Sequence, residues 1–176
     1  MIEAYFIHLL VIICIYLILA ISLQLSVGFA GLLNLGHVAF YAVGAYTFSL
    51  LALASFPFWL SLAAAGVIAA VFGILLSIPT NKLKGDYLAL ATLGFSFVIY
   101  AVALNWTELT RGPLGLPGIP RPEVLGIVFS DNLAFLALTL AAALATFFII
   151  RRIVNSPFGR VLQAVRDDEL AARVLG

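Results

Sequence analysis

The chain has 176 residues, of which 64% are hydrophobic and only 10% are charged, and its mean hydropathy is +1.19. A soluble domain of this size cannot bury so much apolar surface, so a soluble globular protein is excluded. The formal net charge is +1 and no basic run is present, so the composition gives no sign of a nucleic-acid partner. The single cysteine, Cys14, excludes an internal disulfide framework or a cysteine metal site, and we expect no metal.

Five apolar stretches approach the length of about 20 residues that a helix needs to cross a bilayer. Backbone groups must be paired inside lipid, and the alternation of barrel strands is missing, so these stretches are predicted to be helices. The fold class is therefore an all-α, polytopic transmembrane protein. The stretches cover residues 4–25, 35–56, 58–79, 87–104 and 133–150, and we expect the last two to extend into flanking polar residues.

Lysine and arginine residues are distributed unequally between the two sides that five spans define. Most of them fall on the side of the C-terminus, and only Arg111 and Arg121 fall on the other side. By the positive-inside rule, residues 151–176 are predicted to be a cytoplasmic segment, and residues 105–132 an outer loop. Within this loop, glycine recurs every third residue among prolines, which predicts a rigid turn rather than a collagen helix. Its candidate residues are Arg111, Gly112, Pro113, Gly115 and Gly118.

Residues 26–46 place several glycines and an asparagine between two apolar runs. This composition suits a broken or re-entrant segment whose backbone faces a ligand or cavity. It equally suits two helices that approach closely through small residues, and a cytoplasmic loop at residues 26–37 also stays open. Asp86 is predicted to be the N-cap of the helix that follows it.

The sequence lacks the residues that several classes of protein function require. There is no phosphate-binding loop of the Walker type and no cluster of catalytic carboxylates, histidines or cysteines, so we expect no enzyme and no cofactor. None of the five stretches contains an aspartate, glutamate, lysine or arginine. An ion-coupled carrier normally needs such a group inside the membrane, so this class is disfavoured.

The C-terminal residues turn charged and helical in pattern after Arg151. A passive helix on the lipid surface is the common explanation for such a segment. Here the acidic residues Asp167, Asp168 and Glu169 interrupt the basic pattern, and anionic lipid would repel them. Asp167 or Asp168 is predicted to cap a second short helix over residues 169–175, a shape suited to a groove on a partner.

Four blocks of the chain resemble the permease subunit of bacterial branched-chain amino acid ABC transporters. They are GFAGLLNLGH at residues 28–37 with FYAVGAY at 40–46, KGDYLALATLGF at 84–95, TRGPLGLPGIP at 110–120, and residues 159–176. The blocks occur in family order, and the second and third favour the M type of the two permease paralogues. Family members carry further spans after the last block, so we expect that residues 1–176 are the N-terminal part of a longer permease domain.

The resemblance implies an importer of leucine, isoleucine and valine in a bacterial or archaeal cytoplasmic membrane. Its partners would be ATP-binding-cassette ATPase subunits, a second paralogous permease and an extracytoplasmic amino-acid-binding protein. Glu169, Ala171, Ala172 and Gly176 match the family's "EAA…G" motif and, with Arg166, would couple the permease to the ATPase.

We hypothesise that small residues and exposed backbone line the substrate pathway. The candidates are Gly28, Gly31, Asn34, Gly36, His37, Tyr41, Gly44, Thr92 and Gly94. The alternatives are a sister permease for urea, amides or other amino acids, and a non-transporting membrane scaffold.

Overall fold

The computed structural model describes residues 2–124, 127–128, 131–168 and 172. The chain is helical almost throughout, which confirms the predicted fold class. A π-helical segment follows the first helix, and two-residue strands pair Glu123 with Val128 in antiparallel register. The elements are α1 (Ile2–Gln24), the π segment (Leu25–Phe29), α2 (His37–Leu53), α3 (Phe58–Thr80), α4 (Asp86–Asn105), α5 (Thr107–Thr110), a 3₁₀ turn (Gly112–Leu114), β1 (Glu123–Val124), β2 (Ile127–Val128), α6 (Asn132–Val154) and α7 (Pro157–Asp167).

Four helices in the described chain are long and apolar enough to span a membrane: α1 with its π segment, α3, α4 and α6. The second predicted span is shorter than expected, because α2 has 17 residues, or about 25 Å of helix. It starts only after Gly36, and it ends before Ser55, whose φ of 62° and the Pro57 that follows stop the helix.

The predicted extension of the last two spans is confirmed. Helix α4 runs to Asn105, and α6 continues through Arg151 and Arg152 to Val154. The prediction that Asp86 caps α4 is wrong. Gly85 is the N-cap, with φ 55° and ψ −126°, and Asp86 is the first helical residue. Its carboxylate therefore lies in the first turn, where a negative charge still favours the helix dipole.

The chain divides into two compact units, residues 1–34 with 130–176, and residues 35–129. In the first unit α1 packs along α6, and the π segment contacts both α6 and α7. In the second unit α2 packs along α3 and more sparsely against α4. Ring pairs join these helices: Phe40 with Phe95 at 5.5 Å, and Phe48 with Phe58 at 5.6 Å.

The described chain buries small residues and exposes large apolar ones. Its buried hydrophobic residues are mostly alanines, together with Val11 and the packing residue Cys14, whereas Ile78 is 70% exposed and Phe97 is 63% exposed. A water-soluble protein would reverse this distribution. The exposed leucine, isoleucine and phenylalanine side chains therefore suit contact with lipid and with other transmembrane helices.

Candidate functional site

The first helix breaks within the predicted pathway block. The i→i−4 bonding of α1 gives way to wider turns, in which the Ala30 N–H donates to the Leu25 carbonyl at 3.2 Å and the Leu32 N–H donates to the Ser26 carbonyl at 3.0 Å. Gly31 then adopts φ 67°, a left-handed conformation that glycine tolerates best. Non-helical backbone follows until α2 begins after Gly36, so residues 25–36 form a true interruption between two apolar helices.

The non-helical backbone at Leu35 is held by two hydroxyl groups of α4. The Leu35 N–H donates to Thr92 Oγ1 at 3.0 Å, and Ser96 Oγ donates to the Leu35 carbonyl at 3.2 Å. Thr92 and Ser96 lie about 9 and 15 Å along α4 from its first residue. Leu35 thus lies beside the interior of an apolar helix, which favours a re-entrant break over a loop beyond the helix ends.

Small residues open a groove along α2 and α3. The predicted pathway residues Tyr41 and Gly44 line a cavity of about 440 Å³ together with Ala65, Gly66 and Ala69. A Cβ atom placed on Gly44 would meet nothing within 4 Å. Gly44 therefore leaves free space here and is not required for close helix contact.

The loop after α4, predicted to lie on the outer side, is tied to the end of α4 by Thr110. Its buried hydroxyl donates to the carbonyls of Ala103 and Trp106 and accepts the Gly112 N–H at 3.2 Å. Gly112 has φ 57°, and a Cβ there would lie 2.7 Å from the Leu104 carbonyl oxygen. The rigid turn predicted from glycine and proline content is therefore built on backbone contact.

A second part of this loop lies beside the α2–α3 turn. Residues Pro120 to Glu123, the turn residues Ser55 to Pro57 and Trp59 at the start of α3 line a cavity of about 500 Å³. Arg121 and Glu123 bring charge to this otherwise aromatic and proline-rich wall. The loop and the start of α3 thus share one end of the second unit.

The C-terminal helix α7 begins with a well-defined cap. Ser156 has extended backbone and its hydroxyl accepts the Gly159 N–H at 3.3 Å, while Pro157 occupies the first helical position. Gly159 is buried against the Val154 carbonyl, and a Cβ there would overlap that oxygen. The turn between α6 and α7 therefore depends on a bare backbone at this position.

Asp168 ends α7 and accepts the Ala172 N–H at its backbone carbonyl, at 3.0 Å. Its φ of −155° and ψ of 105° are extended, so the backbone leaves the helical conformation of α7 at this residue. The predicted short helix over residues 169–175 lies, apart from Ala172, outside the described residues. The predicted coupling residues Glu169, Ala171 and Gly176 lie outside the described residues.

Arg166, one of the predicted coupling residues, contacts the helix break. One guanidinium nitrogen donates to the Gly28 carbonyl at 2.8 Å, and the others pair with Asp167. The structure thus brings the site residues together in three sets: Gly28 and Gly31 with Arg166, Thr92 with Leu35, and Tyr41 with Gly44 in the groove. Asn34, Gly36 and His37 are neighbours of Leu35 in sequence. Gly94 joins none of these contacts, since a Cβ there would meet nothing within 4 Å.

Sequence reasoning missed Ser96 and Leu35. A signal for Ser96 was available, because Thr92 and Ser96 are four residues apart and share one face of an otherwise apolar helix. Two hydroxyls on one face of a membrane helix indicate backbone to be satisfied nearby. The signal for Leu35 was weaker, since its side chain is apolar and only its backbone takes part.

Long apolar helices, exposed apolar side chains and a helix broken within the apolar region together define a multi-pass helical membrane protein. Residues 5–176 match the family model described as branched-chain amino acid transport system, permease component. The chain belongs to this family of transporter components.

Named relatives agree with the family match. The chain is 41% identical to the high-affinity branched-chain amino acid transport system permease protein LivM of Escherichia coli strain K12, over 92% of this chain and 44% of the relative. It is 40% identical to the Salmonella typhimurium LivM over the same shares. A probable LivM of Methanocaldococcus jannaschii is 29% identical over 66% of this chain and 34% of the relative. No solved structure matches. The chain spans less than half the length of these relatives, and their LivM names confirm the resemblance to the M type.

Proposed function

We propose that the chain forms part of the membrane permease of an ATP-driven importer of branched-chain amino acids. The observation that carries this proposal is the break between α1 and α2 inside a chain whose family and LivM relatives are named for this transport. Residues 25–36 contain backbone N–H and C=O groups outside the regular hydrogen bonding of an α-helix. Thr92 and Ser96 form hydrogen bonds with those of Leu35. Such discontinuous helices form binding sites in other transporters.

The chemistry of the described pathway residues suits a zwitterion with an apolar side chain. The groove beside Tyr41 and Gly44 is lined by small and aromatic residues, and no charged residue lies among those that line it. Such a surface accepts a branched aliphatic side chain without holding either charge of the amino acid. We place Gly28, Gly31, Asn34, Gly36, His37, Tyr41, Gly44, Thr92 and Gly94 along this pathway as a proposal.

Energy for transport would come from partner subunits, which we propose are ATP-binding-cassette ATPases. The segment 151–176 would face the cytoplasm and dock on them through Glu169, Ala171, Ala172 and Gly176. The capped helix α7 leads directly into these residues and is a compact element that can enter a groove on a partner. A second permease and an extracytoplasmic amino-acid-binding protein complete the proposed assembly, with residues 105–132 as the outer loop of a permease domain.

Uptake by the assembled transporter tests the proposed substrate. The full-length permease that contains this chain is reconstituted with its co-purifying partners, and ATP-dependent uptake of radiolabelled leucine is measured. Unlabelled isoleucine and valine should compete with leucine, whereas urea and short amides should not. Competition by urea would favour the sister-permease alternative, and uptake that follows a pH gradient without ATP would overturn the proposal.

Two variants test the proposed residues. Gly44→Phe should fill the groove and reduce leucine uptake, whereas Val67→Phe places the same side chain at an exposed site on α3 and should not. Glu169→Lys should abolish uptake while the permease still inserts in the membrane. Normal uptake by Gly44→Phe would remove the groove from the pathway, and normal uptake by Glu169→Lys would remove Glu169 from the coupling segment.

A further inference from the structure

We propose that Arg166 is a positioning residue that links α7 to the helix break at residues 25–31, so that movement of α7 reaches the substrate pathway. This inference rests on the proposed function and assigns Arg166 a task different from ATPase docking. The contact joins residues 138 positions apart in sequence, and both lie in the same compact unit.

The geometry of Arg166 is specific. One terminal nitrogen donates to the Gly28 carbonyl at 2.8 Å, while the other terminal nitrogen and Nε donate to Asp167 Oδ1 at 2.9 and 3.0 Å. Asp167 therefore orients the guanidinium plane, and the remaining donor reaches the backbone. An arginine held by a carboxylate loses less freedom when it makes a further hydrogen bond.

Gly31 makes room for this side chain. A Cβ at position 31 would lie 2.5 Å from Arg166 Cγ, so any larger residue would push the arginine stem away from the π segment. The φ of 67° at Gly31 also turns the chain out of the helix at this point. Gly28 and Gly31 therefore both take part in the contact with Arg166. The Gly28 carbonyl accepts the hydrogen bond, and the lack of a side chain at Gly31 leaves room for the arginine stem.

The Gly28 carbonyl is a suitable partner for a cation. It lies in the last turn of a helical run that starts at Ile2, where carbonyl groups lose their helical partners. Positive charge near a helix C-terminus is favourable because of the helix dipole.

The position of Arg166 along the chain suits transmission of movement. It lies on the last turn of α7, three residues before Glu169, the first of the proposed ATPase-docking residues. The Ser156 cap and the buried Gly159 fix the other end of α7 against α6. A displacement of the docking segment would therefore pull first on Arg166 and, through it, on the Gly28 carbonyl.

Arginine variants in the full-length, assembled transporter test this link. Arg166→Met keeps the length of the stem but removes every donor, and Arg166→Lys keeps a cation. Arg160→Met is the matched control, because Arg160 is an exposed arginine on the same helix. We measure ATPase subunits that co-purify and leucine transported per ATP hydrolysed.

Arg166→Met should retain its ATPase subunits yet transport less leucine per ATP, by about fivefold or more, since coupling between sites typically spans 5–150-fold. Arg166→Lys should recover part of the loss, and Arg160→Met should match the unsubstituted protein. Two results would overturn the proposal: unchanged transport per ATP in Arg166→Met, or loss of the ATPase subunits from that variant, which would make Arg166 a docking residue.

A labelling experiment tests the proposed link between Arg166 and the helix break without measuring transport. Ser26→Cys is placed in the π segment in a Cys14→Ala background, and its reaction rate with a maleimide is measured with and without a non-hydrolysable ATP analogue. Nucleotide should change the rate when Arg166 is present and leave it unchanged in Arg166→Met. A nucleotide effect that persists in Arg166→Met would overturn the link. If leucine is not transported but labelling still depends on Arg166, the link stands and the proposed substrate is wrong.

Discussion

The amide N–H of Leu35 donates a hydrogen bond to the hydroxyl of Thr92 at 3.0 Å, although 57 residues separate them. Thr92 is 3% exposed, and its hydroxyl also donates to the Ala89 carbonyl of its own helix at 3.0 Å. One side chain therefore satisfies a backbone donor that the break between α1 and α2 leaves unpaired. In an apolar region such an unpaired group costs several kcal/mol, so Thr92 makes the break tolerable.

Removing the Thr92 hydroxyl should destabilise the break. Thr92→Val keeps the shape of the side chain but leaves the Leu35 N–H without its acceptor, which should cost about 1–3 kcal/mol. Thr92→Ser retains the hydroxyl and should lose much less. The midpoint of thermal unfolding of the full-length permease in detergent measures the difference.

Thr47→Val is the control for this experiment, because the Thr47 hydroxyl donates only within its own helix, to the Val43 carbonyl at 2.8 Å. It should lower the unfolding midpoint less than Thr92→Val. Equal midpoints for the two valine variants would show that the contact with Leu35 does not support the fold.

Hydropathy alone located the long helices, since a run of about 20 apolar residues has few other stable forms. It could not place Leu35 beside the interior of α4, because that position depends on hydrogen bonds with Thr92 and Ser96, which lie far away in sequence. It also gave α2 too many residues, since the runs at 35–36 and 54–56 are apolar but not helical. Composition does not show where a helix ends when the end is fixed by tertiary contact.

For the candidate site, too, the sequence indicated some features and could not indicate others. Glycine content singled out the block at residues 28–44 as a candidate pathway, but glycines that look alike in sequence differ in their surroundings. A Cβ added at Gly31 or Gly159 would clash with neighbouring atoms, whereas a Cβ added at Gly44 would meet nothing within 4 Å. The sequence likewise marked Arg166 as part of a docking segment, but not that it contacts Gly28, because the rotation of α7 against the π segment is set by packing.

Gly159→Ala should disturb the junction between α6 and α7. The added methyl group would overlap the Val154 carbonyl, which belongs to the backbone and cannot move like a side chain end. Overpacking of this kind costs about 1–3 kcal/mol, so amide hydrogen exchange in α7 should become faster. The matched control is Gly66→Ala on α3, where a Cβ meets nothing within 4 Å. Equal protection of α7 in the two variants would contradict the close approach at Gly159.

Two glycines of the loop after α4 allow the cost of an unfavourable backbone conformation to be compared with the cost of a steric clash. Gly112 and Gly115 both have positive φ, 57° and 65°, but only at Gly112 would a Cβ approach a backbone oxygen, that of Leu104 at 2.7 Å. With ψ at −175°, Gly115 lies in a region of φ and ψ that is essentially restricted to glycine, so Gly115→Ala should cost about 1–3 kcal/mol from its backbone conformation alone. Gly112→Ala should cost clearly more, and thermal unfolding of the two variants compares them directly. A larger loss for Gly115→Ala would refute the contact with Leu104.

The two ends of α3 should be reached from opposite sides of the membrane. Arg121 lines the cavity beside the start of α3, and Lys82 follows its end at Thr80. The 23 residues of α3 span about 35 Å, enough to cross the hydrocarbon layer. In a Cys14→Ala background, Arg121→Cys should react with a membrane-impermeant maleimide in intact cells, and Lys82→Cys only in inside-out vesicles.

Arg160→Cys should behave like Lys82→Cys if α7 lies on the cytoplasmic side. Labelling of Arg160→Cys in intact cells would place α7 outside, where it could not meet an ATPase, and the proposed coupling through Arg166 would fail with it.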